Sequence, residues 1–189
     1  MKRICVYCGS SSGSLPDYTD AAKELGAKLA SNNIELVYGG ACVGIMGAVA
    51  NAVLDAGGRA TGVIPKSLEG EVAHSGLSEL HVVDSMHARK ALMFELSCAF
   101  IAMPGGFGTL EEILEVLTWG QLGFHSKPCA LLNTSGYFDK LIEFLEYAGS
   151  QEFIRPEHLQ MLLADDSPKS LLDKINQYQA PTIKKWWRK

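Results

Sequence analysis

Twice in this chain a short apolar run ends in a cluster of glycines and passes at once into a helix-forming stretch. Leu36-Val37-Tyr38 runs into Gly39-Gly40-Ala41-Cys42-Val43-Gly44-Ile45-Met46-Gly47, and Phe100-Ile101-Ala102-Met103 runs into Pro104-Gly105-Gly106-Phe107-Gly108-Thr109-Leu110-Glu111-Glu112. The second cluster leads to Ile113, Leu114, Val116 and Leu117, which are apolar at helical spacing. Strands alternate with helices throughout, which implies an α/β chain with a parallel sheet covered by helices on both faces.

The alternation is read as strands at residues 3–7, 36–38, 60–64, 80–83, 100–103, 128–132 and around 162–163. Helices are expected at residues 17–32, 48–56, 86–98, 109–119, 138–148 and 167–177, with Asp84 or Ser85 capping the third. The helix at 138–148 is expected to bury Leu141, Ile142, Phe144 and Leu145. Residues 65–79 lack periodicity and read as a long loop, of the kind that often serves function. Residues 1–180 are taken as one domain, and 181–189, basic and aromatic, as a tail.

Composition narrows the function classes. A chain of 189 residues, 47% hydrophobic and 20% charged, suits one soluble globular domain. No apolar run approaches the ~20 residues that span a bilayer, and the first apolar run is too short for an export signal, so a cytoplasmic protein with no membrane role is expected. The formal net charge of −4 argues against a nucleic-acid partner. Five cysteines, Cys5, Cys8, Cys42, Cys98 and Cys129, are an odd number in a chain without an export signal, so disulfides are not expected. Cys5 and Cys8 match C-x-x-C but lie in a strand, where positions three apart face opposite sides. The histidines are scattered, and neither a metal nor a cofactor is expected.

The chemistry centres on residues 104–112. A glycine turn opening a helix offers unpaired N–H groups and a partial positive charge, which suits an anion such as phosphate. Gly105, Gly106 and Gly108 are expected to take positive φ and let the backbone approach that ligand. Glu111 and Glu112 then stand beside it as candidate catalytic carboxylates. A competing local role is open: Thr109 and Glu112 also fit a capping box, which would make Glu112 structural. Ser10 and Ser11 follow the first strand at the sheet edge where ligands gather, as contacts or as ordinary turn residues. The cluster at 39–47 lacks both G-x-G-x-x-G and P-loop spacing, so its glycines are expected to serve close packing. Arg89 and Lys90 fall near a helix start, where the macrodipole disfavours a cation by roughly 0.3–1 kcal/mol, and this points to a function for them or to a solvated pair.

Together these motifs resemble the LONELY GUY (LOG) family. PGGFGTLEE is similar to its PGGxGTxxE signature, and Met86-His87-Ala88-Arg89-Lys90-Ala91-Leu92-Met93 to its M-H-x-R-K motif. The likeness extends to C-V-Y-C-G-S-S, V-Y-G-G-A-C-V-G-I-M-G, V-I-P-K-S-L and T-W-G-Q-L-G-F-H-S-K-P, covering most of residues 1 to about 150. Ile45 stands where Leu is usual, and the stretch between Pro65 and Arg89 is about one residue shorter than in plant relatives. The resemblance implies a Rossmann-like homodimer that hydrolyses the N-glycosidic bond of cytokinin riboside 5′-monophosphates, giving a free base and ribose 5-phosphate without a cofactor. It implies that Arg89 and Glu112 are the catalytic pair. Gly105, Gly106, Phe107, Gly108, Thr109, Leu110 and Glu111 would form the substrate-binding turn. Glu71, Lys90 and Thr118 would add contacts, with Gly9, Ser10 and Gly40 as further candidates. Three other roles compete: a nucleosidase acting on AMP, a nucleotide sensor without turnover, and the lysine decarboxylase by which relatives have been labelled.

Overall fold

The computed structural model describes residues 2–181, so most of the expected tail lies outside the described residues. The strands are β1 (Arg3–Tyr7), β2 (Glu35–Tyr38), β3 (Ala60–Pro65), β4 (Glu79–Val83), β5 (Ala99–Ala102), β6 (Cys129–Leu132) and β7 (Leu162–Asp165). They form one sheet in the order β4-β3-β2-β1-β5-β6-β7, every neighbouring pair parallel. The helices are α1 (Pro16–Ser31), α2 (Gly44–Asp55), α3 (Lys66–Val72), α4 (Met86–Leu96), α5 (Phe107–Gln121), α6 (Asp139–Ser150), α7 (Pro156–Leu159) and α8 (Pro168–Gln177), with a 3-10 turn at Thr134–Gly136.

Both faces of the sheet are buried, which is why the central strands are apolar without a break. Ile4 and Val6 of β1 join Leu25, Val49 and Leu171 under α1, α2 and α8. Cys5 and Tyr7 join Met93, Ile113 and Val116 under α4 and α5. Cys5 and Cys8 therefore face opposite cores, as the strand period requires, and burial pushes both thiols well up. No helix among the described residues is long and apolar enough to cross a membrane.

The chain leaves β1 toward β2 on one side and leaves β5 toward β6 on the other. The sheet thus switches direction between β1 and β5, and a crevice opens there above the strand ends. Gly9 and Pro104, which follow those two strands, are tied by the Gly9 N–H donating to the Pro104 carbonyl at 3.0 Å.

Several elements differ from expectation. Residues 65–79 contain α3, which buries none of its residues and so leaves no apolar period to read. Its end is strapped to the first glycine cluster by an Ala41–Ala73 bridge, with Cys42 N–H donating to the Val72 carbonyl and His74 N–H to the Gly40 carbonyl, both at 2.9 Å. Helix α2 starts at Gly44, four residues early, because glycines are poor helix signals. On α6 no residue is fully buried, and Phe144, expected inside, lies exposed.

Candidate functional site

Helix α5 starts at Phe107, with Gly106 as its N-cap, two residues before the expected cap at Thr109. This removes the capping box: Thr109 is inside the first turn and buried, and Glu112 turns elsewhere. The expected positive φ at Gly105, Gly106 and Gly108 is also absent. These glycines serve by space instead. A Cβ at Gly106 or Gly108 would meet nothing within 4 Å, whereas one at Gly105 would run into the Thr109 hydroxyl. The turn is packed from behind at Gly105 and bare in front at Gly106 and Gly108.

Glu112 sits one turn into α5 and is 6% exposed; Arg89, the fourth residue of α4, is 7% exposed. The two meet across the face of the sheet, the Arg89 Nη1 donating to Glu112 Oε1 at 2.6 Å. Arg89 Nε donates to the Val63 carbonyl at 3.1 Å, so the end of β3 fixes the guanidinium plane. The remaining nitrogen lies where a side chain of Gly39 would be, so that glycine makes room for it. Burial lifts the Glu112 carboxyl above the ordinary glutamate value of 4.5, and Arg89 pulls it part of the way back. The cation near a helix start is thus offset by a buried partner. Ser85 also caps α4, accepting from Ala88 N–H at 3.1 Å.

Lys90 points away from this pair, toward Glu111 and, at 3.0 Å, Glu115 of α5. The hydrogen bond it donates to Glu111 holds its ammonium more firmly charged than usual. These contacts tie α4 to α5 along their outer side.

Two cavities flank the site and share Ser10. One, of about 330 Å³, is bounded by Arg89 and by apolar side chains including Met46, Leu68, Val72 and Met86. The other, of about 320 Å³, fills the crevice between β1 and β5 and is lined by Ser11, Gly105, Gly106, Tyr18 and Tyr137. Gly9 lines the second beside the glycine turn, and the Ser11 hydroxyl accepts from the Gly13 N–H at 3.2 Å.

The remaining sequence candidates divide. Phe107 projects into solvent, 93% exposed, at the helix start, and Leu110 is half-buried against the core beneath α4 and α5. Glu71 is exposed on α3, next to the Val72 that lines the apolar cavity. Gly40 is buried, with φ of +77°, and faces Ile64, not either cavity. Thr118 lies almost two turns beyond Glu112, donates to the Leu114 carbonyl at 2.7 Å, and lines a third cavity of about 250 Å³ between α5, α6 and α7. Within one copy of the chain, Gly40 and Thr118 do not join the Arg89–Glu112 site. Sequence reasoning passed over Gly39, the Val63 carbonyl and Tyr137; only Gly39, inside a glycine run, carried any signal.

A family model described as "Possible lysine decarboxylase" matches residues 46–175. LOGL6 of Oryza sativa subsp. japonica, named a probable cytokinin riboside 5′-monophosphate phosphoribohydrolase, is 49% identical over 178 residues, 94% of this chain and 71% of the relative. LOG1 of Arabidopsis thaliana, named a cytokinin riboside 5′-monophosphate phosphoribohydrolase, is 49% identical over the same share of this chain and 84% of its own. Among solved structures, the molybdenum cofactor binding protein of Rippkaea orientalis superposes with a TM-score of 0.72 at 23% identity, covering 94% of this chain and 97% of that one. The molybdenum cofactor carrier protein of Chlamydomonas reinhardtii gives 0.70 at 20%, covering 93% and 96%. At such identities these two speak to the fold alone.

Proposed function

Because the chain belongs to the LOG family of cytokinin riboside 5′-monophosphate phosphoribohydrolases, we propose that it is an N-glycosidase that releases the base from N6-modified adenosine 5′-monophosphates. Water adds its hydroxyl to the anomeric carbon, the C–N bond breaks, the base departs with a proton, and ribose 5-phosphate remains. The observation that carries the site assignment is the buried Arg89–Glu112 pair set behind a glycine turn with open space above it.

In this scheme the 5′-phosphate rests at the start of α5, on Gly106, Phe107, Gly108 and Thr109, where N–H groups and the helix dipole favour an anion. Holding the phosphate fixes the ribose against Glu112, so that binding at one end positions the reacting bond at the other. The Glu112 carboxylate stabilises the oxocarbenium-like sugar and orients the attacking water. Arg89 engages Oε1, which leaves Oε2 for that water. Its bond to Val63 makes it a rigid clamp on the carboxylate. Glu71 on α3 and Lys90 behind Glu111 support the rim of the site.

The apolar cavity beside Arg89 favours a base bearing an apolar N6 substituent over bare adenine, since Met46, Leu68, Val72 and Met86 offer it little polar contact. Lys90 does not suit a decarboxylase that forms a Schiff base, because that lysine must be neutral to attack and two glutamates hold this one charged.

The working unit we propose is a homodimer. Phe124, Phe144, Tyr147 and Phe153 are exposed, the last 85%, and an apolar hollow opens between α5 and α6. The five free cysteines fit a reducing, cytoplasmic compartment.

The test is free-base release from N6-isopentenyl AMP and from AMP, by wild type and by Glu112→Gln, with the mass of the active species read by sedimentation. Release that favours the N6-modified substrate and falls by roughly 10²-fold or more in the variant is expected. Glutamine retains an oxygen for the Arg89 hydrogen bond and carries no charge to bury, so the variant should stay folded. Phosphate-dependent binding with no release from either substrate would favour a sensor.

A further inference from the structure

We propose that Tyr137 is a positioning residue for the phosphate-binding turn, setting the direction of the Gly106 N–H and with it the preference for a phosphorylated substrate. The proposal rests on the phosphate seat described above. Tyr137 comes from the connection between β6 and α6, 32 residues beyond the turn, and its phenol hydroxyl donates to the Gly105 carbonyl at 2.6 Å.

The hydroxyl is held in place by a braced loop. Phe138, fully buried, packs edge-on against the Tyr137 ring with centroids 4.9 Å apart, and Tyr18 of α1 also packs edge-on with it at 5.6 Å. Asn133 ties the loop to α6 at both ends of its side-chain amide, donating to Asp139 and accepting from Phe138 N–H, each at 2.7 Å. Ser135 takes a left-handed conformation, φ 52°, and donates to Asp17 at the start of α1 at 2.7 Å. The two aromatic contacts hold the ring, which is 41% exposed, and the hydrogen bonds hold the loop that carries it.

The consequence follows from the planar peptide. In a trans unit the carbonyl and the next N–H point in opposite directions, so a donor that pins the Gly105 oxygen also aims the Gly106 N–H away from Tyr137. That peptide joins two glycines and has no side chain to restrain its rotation, so without the hydroxyl it is among the freest in the turn. Gly106 is the N-cap of α5 and stands under open space. Donation to the carbonyl also polarises the amide, which strengthens the N–H it shares.

The deciding experiment uses Tyr137→Phe, which removes one oxygen and keeps the ring. Calorimetry with ribose 5-phosphate reads the seat without any turnover, and the dissociation constant is expected to rise about five- to tenfold, the range of one lost hydrogen bond. The KM for N6-isopentenyl AMP should rise by a similar factor, with kcat within about twofold and the melting temperature unchanged. The same variant should hydrolyse the unphosphorylated riboside as well as wild type does. An unchanged ribose 5-phosphate affinity, an equal loss toward phosphorylated and unphosphorylated substrates, or a wild type that does not bind ribose 5-phosphate each overturns the proposal. Because the calorimetric arm needs no catalysis, a protein that binds ribose 5-phosphate through Tyr137 yet releases no base would sustain this inference and refute the hydrolase instead.

Discussion

The two glycine clusters look alike as letters and do opposite things in space. In the cluster after β2 each of the four glycines is pressed by a neighbour. Gly39 faces the Arg89 guanidinium, Gly40 faces Ile64, Gly44 faces the Ser10 backbone, and Gly47 faces the Cys42 carbonyl. Gly40 and Gly44 also have positive φ, the conformation expected of the other cluster. In the cluster after β5 the front glycines face nothing and have ordinary backbones. The lesson is that one set of glycines is filled by the protein and the other is left unfilled, and only an unfilled set can receive a ligand.

Adding a methyl group to each cluster tests that contrast. Gly47→Ala should have the largest effect. Helix propensity alone predicts a gain of up to about 1 kcal/mol, yet the new Cβ overlaps the Cys42 carbonyl, and a loss of about 2–3 kcal/mol in denaturant unfolding is expected. A stabilised protein would break the comparison. Gly106→Ala should change stability by less than about 1 kcal/mol while raising the KM for a nucleoside monophosphate roughly tenfold, since the methyl enters the space proposed for phosphate. An unchanged KM would mean that the phosphate sits elsewhere.

The smallest effect concerns pH. Burial raises the Glu112 carboxyl, so it ionises later in the folded protein than in the unfolded chain. Its neutral form is the one folding favours; stability from this group is fully present below the unfolded value and is lost as pH rises through the raised one. In the mechanism proposed above activity runs the other way, because there the carboxylate is the working form. The acid limb of kcat/KM is therefore expected above 4.5, and Glu112→Gln should remove that limb from whatever activity remains. A limb at or below the ordinary value would place the working carboxylate in water.

Much of this was legible in the residues. The alternation of strands and helices was readable because the central strands are buried on both faces and must be apolar throughout. The resemblance named Arg89 and Glu112 as a pair, but the residues themselves gave only a cation placed against one helix start and a carboxylate that suits another. Their meeting depends on α4 and α5 lying side by side, which no local pattern encodes. The helix start at Phe107 was misjudged because Thr109 and Glu112 have the letters of a cap while the real N-cap is a glycine with no side chain. Helix α3 was invisible because it buries nothing, and α7 because it is a single turn. Phe144 was placed inside because helical spacing marks an apolar face without saying what covers it.

The crevice between β1 and β5 also bears on how the chain is made. β1 pairs with β5 in the register Ile4 with Ala99 through Tyr7 with Ala102, so strands from opposite ends of a long stretch become nearest neighbours. During synthesis β1, β2, β3 and β4 emerge with every partner they need except one, and the free edge of β1 stays open until Ala99–Ala102 leaves the ribosome. Such an edge is a template for wrong pairing, and closing it across so much chain is slow. The groove that would hold the nucleotide is thus the seam of the sheet that closes across the longest stretch of chain, and a chain truncated before β5 would lack the second glycine turn and keep an exposed, adhesive edge.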